Sequence, residues 1–84
     1  MSLKTELRRL KVLGCEATAK SVTLHLREDT PLDPTKVTNL VKSPRSPWRL
    51  TPDMRLARRF EGETDGLANA ETMLRDLAGC LRSD

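Results

Sequence analysis

Leu3, Leu7 and Leu10 recur at helical spacing with Lys4, Arg8, Arg9 and Lys11 turned outward. This pattern predicts a first helix over residues 3–13, closed by Gly14 in a left-handed cap. The period then shortens. Val22, Leu24 and Leu26 alternate with Thr23, His25 and Arg27, as in a half-buried strand, and Cys15, Ala17 and Ala19 supply a hairpin partner within residues 15–27. The turn Ala19-Lys20-Ser21 lacks the Asn-Gly or Asp-Gly pair of a tight hairpin, so the pattern alone leaves its register weakly specified. Asp33-Pro34 marks the next boundary, an N-cap acceptor followed by a residue whose fixed φ suits the first helical position. Val37, Leu40 and Val41 give that helix, residues 34–43, its apolar face, and Ser43-Pro44 ends it.

A second hairpin is predicted over 47–60. Trp48 and Leu50 share one face of its first strand, Thr51-Pro52-Asp53 turns, and Met54, Leu56 and Phe60 share the core-facing parity of its second strand. Arg58 interrupts that stripe, which places it near a sheet edge or past the strand's end. From Asp65 the helical period returns, with Leu67, Ala70, Leu74, Leu77, Ala78 and Leu81 on one face of a helix over 65–82, capped by Thr64 or Asp65. Gly66 and Asn69 are poor helix formers and predict a frayed first turn. The expected architecture is α+β: one domain, residues 1–84, with a small antiparallel sheet of two hairpins packed with three helices.

Composition narrows the function classes. With 37% hydrophobic and 32% charged residues, the chain is too apolar for a disordered tail and lacks any apolar run of membrane-spanning length. Its opening, MSLKTELRRL, carries charges where a signal peptide needs a hydrophobic stretch. Cys15 and Cys80 belong to no metal-ligand spacing, and two reduced, packed thiols in a cytoplasmic setting are expected. The net charge of +3 is uneven: residues 1–60 hold 13 Lys and Arg against 6 Asp and Glu, and residues 61–84 hold 2 against 6.

No constellation for catalysis emerges. Four scattered glycines build no phosphate-binding loop, and His25 lies on the outward parity of its strand without a nucleophile beside it. Glu28-Asp29 and the group Glu61, Glu63 and Asp65 fall in polar connections where water keeps carboxylates ionised. No enzymatic activity, cofactor or metal is expected of this chain. The basic stretch 42–59 is the candidate for binding. Its arginines suit phosphates or the carboxylates of a protein partner, but one Trp, one Phe and no Tyr make a poor platform for stacking bases. Arg49, Arg55, Arg58 and Arg59 are the interface candidates.

Two stretches carry a family resemblance. REDTPLDPTKVTNLVKSPRSPWRLTPDMRL resembles the final part of the C-terminal domain of bacterial transcription-repair coupling factors, where an acidic-Thr-Pro-x-Asp-Pro turn opens a helix and an aromatic-Arg-Leu-Thr-Pro strand-turn follows. ELRRLKVLGCE is similar to that family's helix ending in Leu-Gly before the first strand. Together they cover residues 6–60, about two-thirds of the chain. The chain departs from the family in lacking glycine at the Ala19-Lys20-Ser21 turn, and residues 61–84 match only as a charged amphipathic helix. The resemblance implies a parent that is an ATP-driven DNA translocase, displacing stalled RNA polymerase and recruiting the excision-repair protein UvrA. It further implies a regulatory docking role, in which this module covers the UvrA-binding UvrB-like module of the same polypeptide and so autoinhibits the parent. Contact with UvrA, RNA polymerase and DNA would then run through the parent, with no membrane partner. The alternative is an accessory DNA-binding domain using the basic strand-turn-strand surface.

Overall fold

The structure, a computed structural model, describes residues 3–62 and 65–82. Its elements in chain order are α1 (Leu3–Arg9), β1 (Val12–Ala17), β2 (Ser21–Leu26), α2 (Pro34–Val41), β3 (Trp48–Leu50), β4 (Arg55–Arg59) and α3 (Gly66–Leu77), followed by a 3₁₀ turn, Ala78–Cys80. The strands form one antiparallel sheet in the order β1-β2-β4-β3, so the two hairpins join through β2 and β4. This is the α+β architecture expected from the alternation of periods. Val22, Leu24 and Leu56 are fully buried from the sheet side, and Ala70, Met73, Leu74 and Leu77 of α3 close over them. Leu32, Val37 and Trp48 extend the same core toward α2.

α1 ends at Arg9, four residues before the boundary expected from its leucines. Lys11 takes the left-handed conformation, with φ 57°, and its amide bonds to the Arg8 carbonyl. That exit frees Leu13 and Gly14 for β1, so Gly14 is a strand residue and not a cap. The Leu10 carbonyl exposed by the exit is taken up by the buried Thr30 hydroxyl at 2.9 Å. A register shift between Val12 and Gly14 bulges Leu13 into solvent.

Ala19 belongs to the turn and not to the strand. Cys15 faces Leu24 and Ala17 faces Val22. Thr18 fixes the turn that glycine does not: its hydroxyl accepts the amides of Lys20 and Ser21 at 3.2 and 3.0 Å, and its own amide donates to the Ser21 carbonyl. Met54 likewise lies in the turn ahead of β4, at φ 65°, with its carbonyl accepting the Leu26 amide.

At α2 the Asp33 carboxylate accepts the Thr35 amide at 2.9 Å with Pro34 in the first turn. Asp33→Ala is expected to cost about 1 kcal/mol, read as a lower midpoint in urea with an unchanged slope. An unmoved midpoint would remove the cap from the account.

α3 departs from its expected face. The buried residues are Asn69, Ala70, Met73, Leu74 and Leu77, whereas Leu67 and Ala78 are exposed. Asp65 caps the helix through the Ala68 amide at 2.7 Å; Glu63 and Thr64 lie outside the described residues. The first turn is anchored, not frayed. Asn69 is buried and donates its side-chain amide to the Thr18 carbonyl at 2.9 Å, and Gly66 lies so close to the hairpin that a Cβ there would meet the Ala17 oxygen at 2.6 Å. The helix stops at Leu77, and after the 3₁₀ turn the chain runs extended from Leu81 beside residues 31–33. There Leu81 bridges Leu32, the Asp33 amide donates to the Cys80 carbonyl, and the Arg82 amide donates to the Pro31 carbonyl.

Candidate interaction surface

Pairing register assigns every strand side chain to one of two faces. Val22, Leu24, Leu56 and Trp48 turn toward the helices. The other parity places Gly14 and Glu16 of β1, Ser21, Thr23 and His25 of β2, Arg55, Ala57 and Arg59 of β4, and Arg49 of β3 on the opposite face. None of these residues is buried. Small side chains at Gly14, Ser21, Thr23 and Ala57 floor this open face, and arginines rise from it at three points.

Three of the four interface candidates therefore share one surface. Arg49 stands opposite Ala57, with Arg55 and Arg59 one step to either side along β4. Arg49 and Arg59 have no ion pair among the described residues. Arg55 pairs with Asp53 at 3.3 Å with both side chains more than half exposed, an interaction of small worth. The Asp53 carboxyl lies below its usual range, held there first by the Thr51 hydroxyl and to a lesser degree by Arg55.

Arg58 is placed differently. It lies on the helix-facing parity of an interior strand, neither at a sheet edge nor beyond the strand's end. Its guanidinium carbon sits 5.2 Å from the Trp48 ring centre and 4.7 Å from that of Phe60, and it forms an ion pair with Asp76 of α3. The side chain is 21% exposed, and its buried Nε has no hydrogen-bond partner among the described residues. A guanidinium is tolerated here because two aromatic faces and a carboxylate replace water around it. Trp48 thus packs in the core with one face committed to Arg58, and is not presented for base stacking.

Cys15 and Cys80 are free thiols, and burial pushes both above the ordinary thiol range, which disfavours the reactive thiolate. Asp29 is bound to Lys11 at 3.2 Å and to Arg27 at 3.3 Å, which holds its carboxyl below the usual range, first through the Lys11 hydrogen bond. Among the described residues no cluster of three or more His, Cys, Asp or Glu is disposed to hold a metal ion, and no helix is long and apolar enough to cross a membrane.

No family model matches the chain. A transcription-repair-coupling factor of Myxococcus xanthus is 38% identical over 81 residues, which cover 93% of this chain and 7% of that protein. The chain accordingly spans a small fraction of the relative's length, and the likeness reaches beyond residues 6–60 into the acidic C-terminal helix. At this identity, sustained along nearly the whole chain, the sequence is homologous to a segment of a transcription-repair coupling factor.

Proposed function

We propose that this chain is a regulatory protein-docking module of a cytoplasmic, transcription-coupled DNA-repair translocase, and that it restrains its parent by covering the UvrA-binding surface of the UvrB-like module. The observation that supports docking is the open sheet face. It is floored by small side chains, and it carries Arg49, Arg55 and Arg59, whose planar forks suit the carboxylates of a protein partner. The placement in a C-terminal domain rests on the wording of residues 6–60, and the parent's activity on its relatives. Arg58 contributes by fixing β4 against α3 rather than by reaching outward. The module itself works by binding alone.

Calorimetric titration of the chain with an isolated UvrB-like module tests the reading. Saturable binding is expected, weakened roughly tenfold or more in the Arg49→Glu/Arg55→Glu variant, as follows when charge-assisted hydrogen bonds are lost. Absence of binding would reject the docking role.

The second reading, an accessory DNA-binding domain, draws on the same excess of positive charge. It predicts affinity for duplex DNA that falls steeply with salt and follows the same arginines. The burial of Trp48 and the commitment of Arg58 to Asp76 leave that reading with phosphate contacts alone.

A further inference from the structure

Where β2 begins and β4 ends, the segment before β3 folds back to enclose an open concavity of about 880 Å³. Backbone hydrogen bonds hold its walls: the Phe60 amide donates to the Lys20 carbonyl at 2.7 Å and the Arg59 amide to the Pro47 carbonyl at 2.9 Å. Lys20, Arg45, Arg58 and Arg59 line it, with Glu61 as the one carboxylate that the described residues bring to its wall. These cations come from three separate stretches of chain, so the fold and not a local run of basic residues gathers them.

We infer that this concavity is a phosphoryl-binding site. Arg58 is balanced by Asp76, and its plane is fixed between two rings, which presets one wall. Lys20, Arg45 and Arg59 have no ion pair among the described residues, and Glu61 offsets one of the three. Among the described residues an excess of about two positive charges remains. A phosphoryl group carries about −1.5 to −2 and three strong acceptor oxygens, which matches that excess, whereas a carboxylate supplies a single charge and two oxygens. The volume falls within the range of small-ligand sites, roughly 300–1,000 Å³, so the phosphoryl group can belong to a larger molecule. The site shares Arg59 with the docking surface, and Lys20 and Arg45, which lie outside the open sheet face, distinguish the two.

Titration with pyrophosphate, followed by calorimetry and by the emission of Trp48, tests this directly, since the indole stacks on a residue of the wall. Saturable binding is expected. Lys20→Glu and Arg45→Glu should each lower affinity roughly tenfold to a hundredfold, as loss of a charge-assisted hydrogen bond implies, while Arg9→Glu on α1 should leave it unchanged. All three positions are exposed, and a melting curve verifies that each variant folds. Short duplex DNA forms the second arm. If it binds, and if each variant reduces the salt slope by about one, the phosphoryl group is that of a nucleic-acid backbone; if pyrophosphate alone binds, it is that of a small phosphorylated molecule. The assignment is overturned if neither probe binds, if Lys20→Glu and Arg45→Glu bind as the parent chain does, or if an oligoglutamate peptide binds more tightly than pyrophosphate.

Discussion

Trp48→Ala should lower the stability of the folded chain by about 3–5 kcal/mol, the usual cost of truncating a large buried aromatic. A domain of this length commands a total stability of about 4–13 kcal/mol, so the loss is a large share of the total and leaves the variant unfolded at the lower end of that range. Two losses combine. The indole is 7% exposed and fills the core between the sheet and α2, and its outer face holds the guanidinium of Arg58. Without it, Arg58 keeps Phe60 and Asp76 but loses one of the three partners that made burial tolerable. Trp48→Phe keeps a ring and should recover part of the loss. Urea denaturation followed by far-ultraviolet circular dichroism measures both; a change below about 1 kcal/mol in Trp48→Ala would show that the indole is not a core residue.

The second large effect is expected at Gly66. A Cβ at this position would lie 2.6 Å from the oxygen and 2.8 Å from the carbon of Ala17, and both are backbone atoms that cannot swing aside. Gly66→Val therefore has to displace the first turn of α3 from the β1–β2 hairpin, at a cost of about 1–3 kcal/mol from overpacking. The displacement also pulls Asn69 away from the Thr18 carbonyl. Gly79→Ala is the control, because nothing lies within 4 Å of a Cβ there, and its effect should stay within about 0.5 kcal/mol. Thermal melts of the two variants side by side decide the matter. Equal stability would mean that the helix and hairpin are not in contact at Gly66.

Much of the architecture was legible because it is written in local periods. Val22, Leu24 and Leu26 alternate as a strand must, and Asp33-Pro34 carries both halves of a helix start. The phase of α3 was only partly legible. Ala70, Leu74 and Leu77 fit either a face that includes Leu67 or one that includes Asn69 and Met73, and hydrophobicity favours the leucine. What decides is Thr18, whose carbonyl satisfies Asn69 from 51 residues away, a partner no helical pattern can reveal. Arg58 eluded the pattern for a related reason. Charge suggests an edge position or one past the strand's end, yet the residue is accommodated by Trp48 of β3, Asp76 of α3 and Phe60 just past β4. The end of α1 at Arg9 depends on a lysine in the left-handed conformation, which lysine does not announce.

The candidate surface was readable as a list of arginines and unreadable as a surface. Strand parity separates Arg49 from Trp48 and Arg58 from Arg59 and gives the core-facing side of the second hairpin, but that β4 lies beside β2, so that Arg49 and Arg59 share a face with Thr23 and His25, follows only from the pairing. Lys20 and Arg45 are far apart in sequence from Arg59, and only the meeting of three chain segments makes them neighbours.

The seam between residues 31–33 and 80–82 bears on the order in which the molecule assembles. It consists of a few backbone hydrogen bonds and a Lys36 ammonium bound to a carbonyl 45 residues onward. Closing so long a loop costs entropy that hairpins with short turns do not face. The hairpins can zip early, and the seam closes after α3 has settled on them. In reverse it is the first to part, and because it covers the 6%-exposed Cys80, its parting uncovers a thiol while the sheet is still intact.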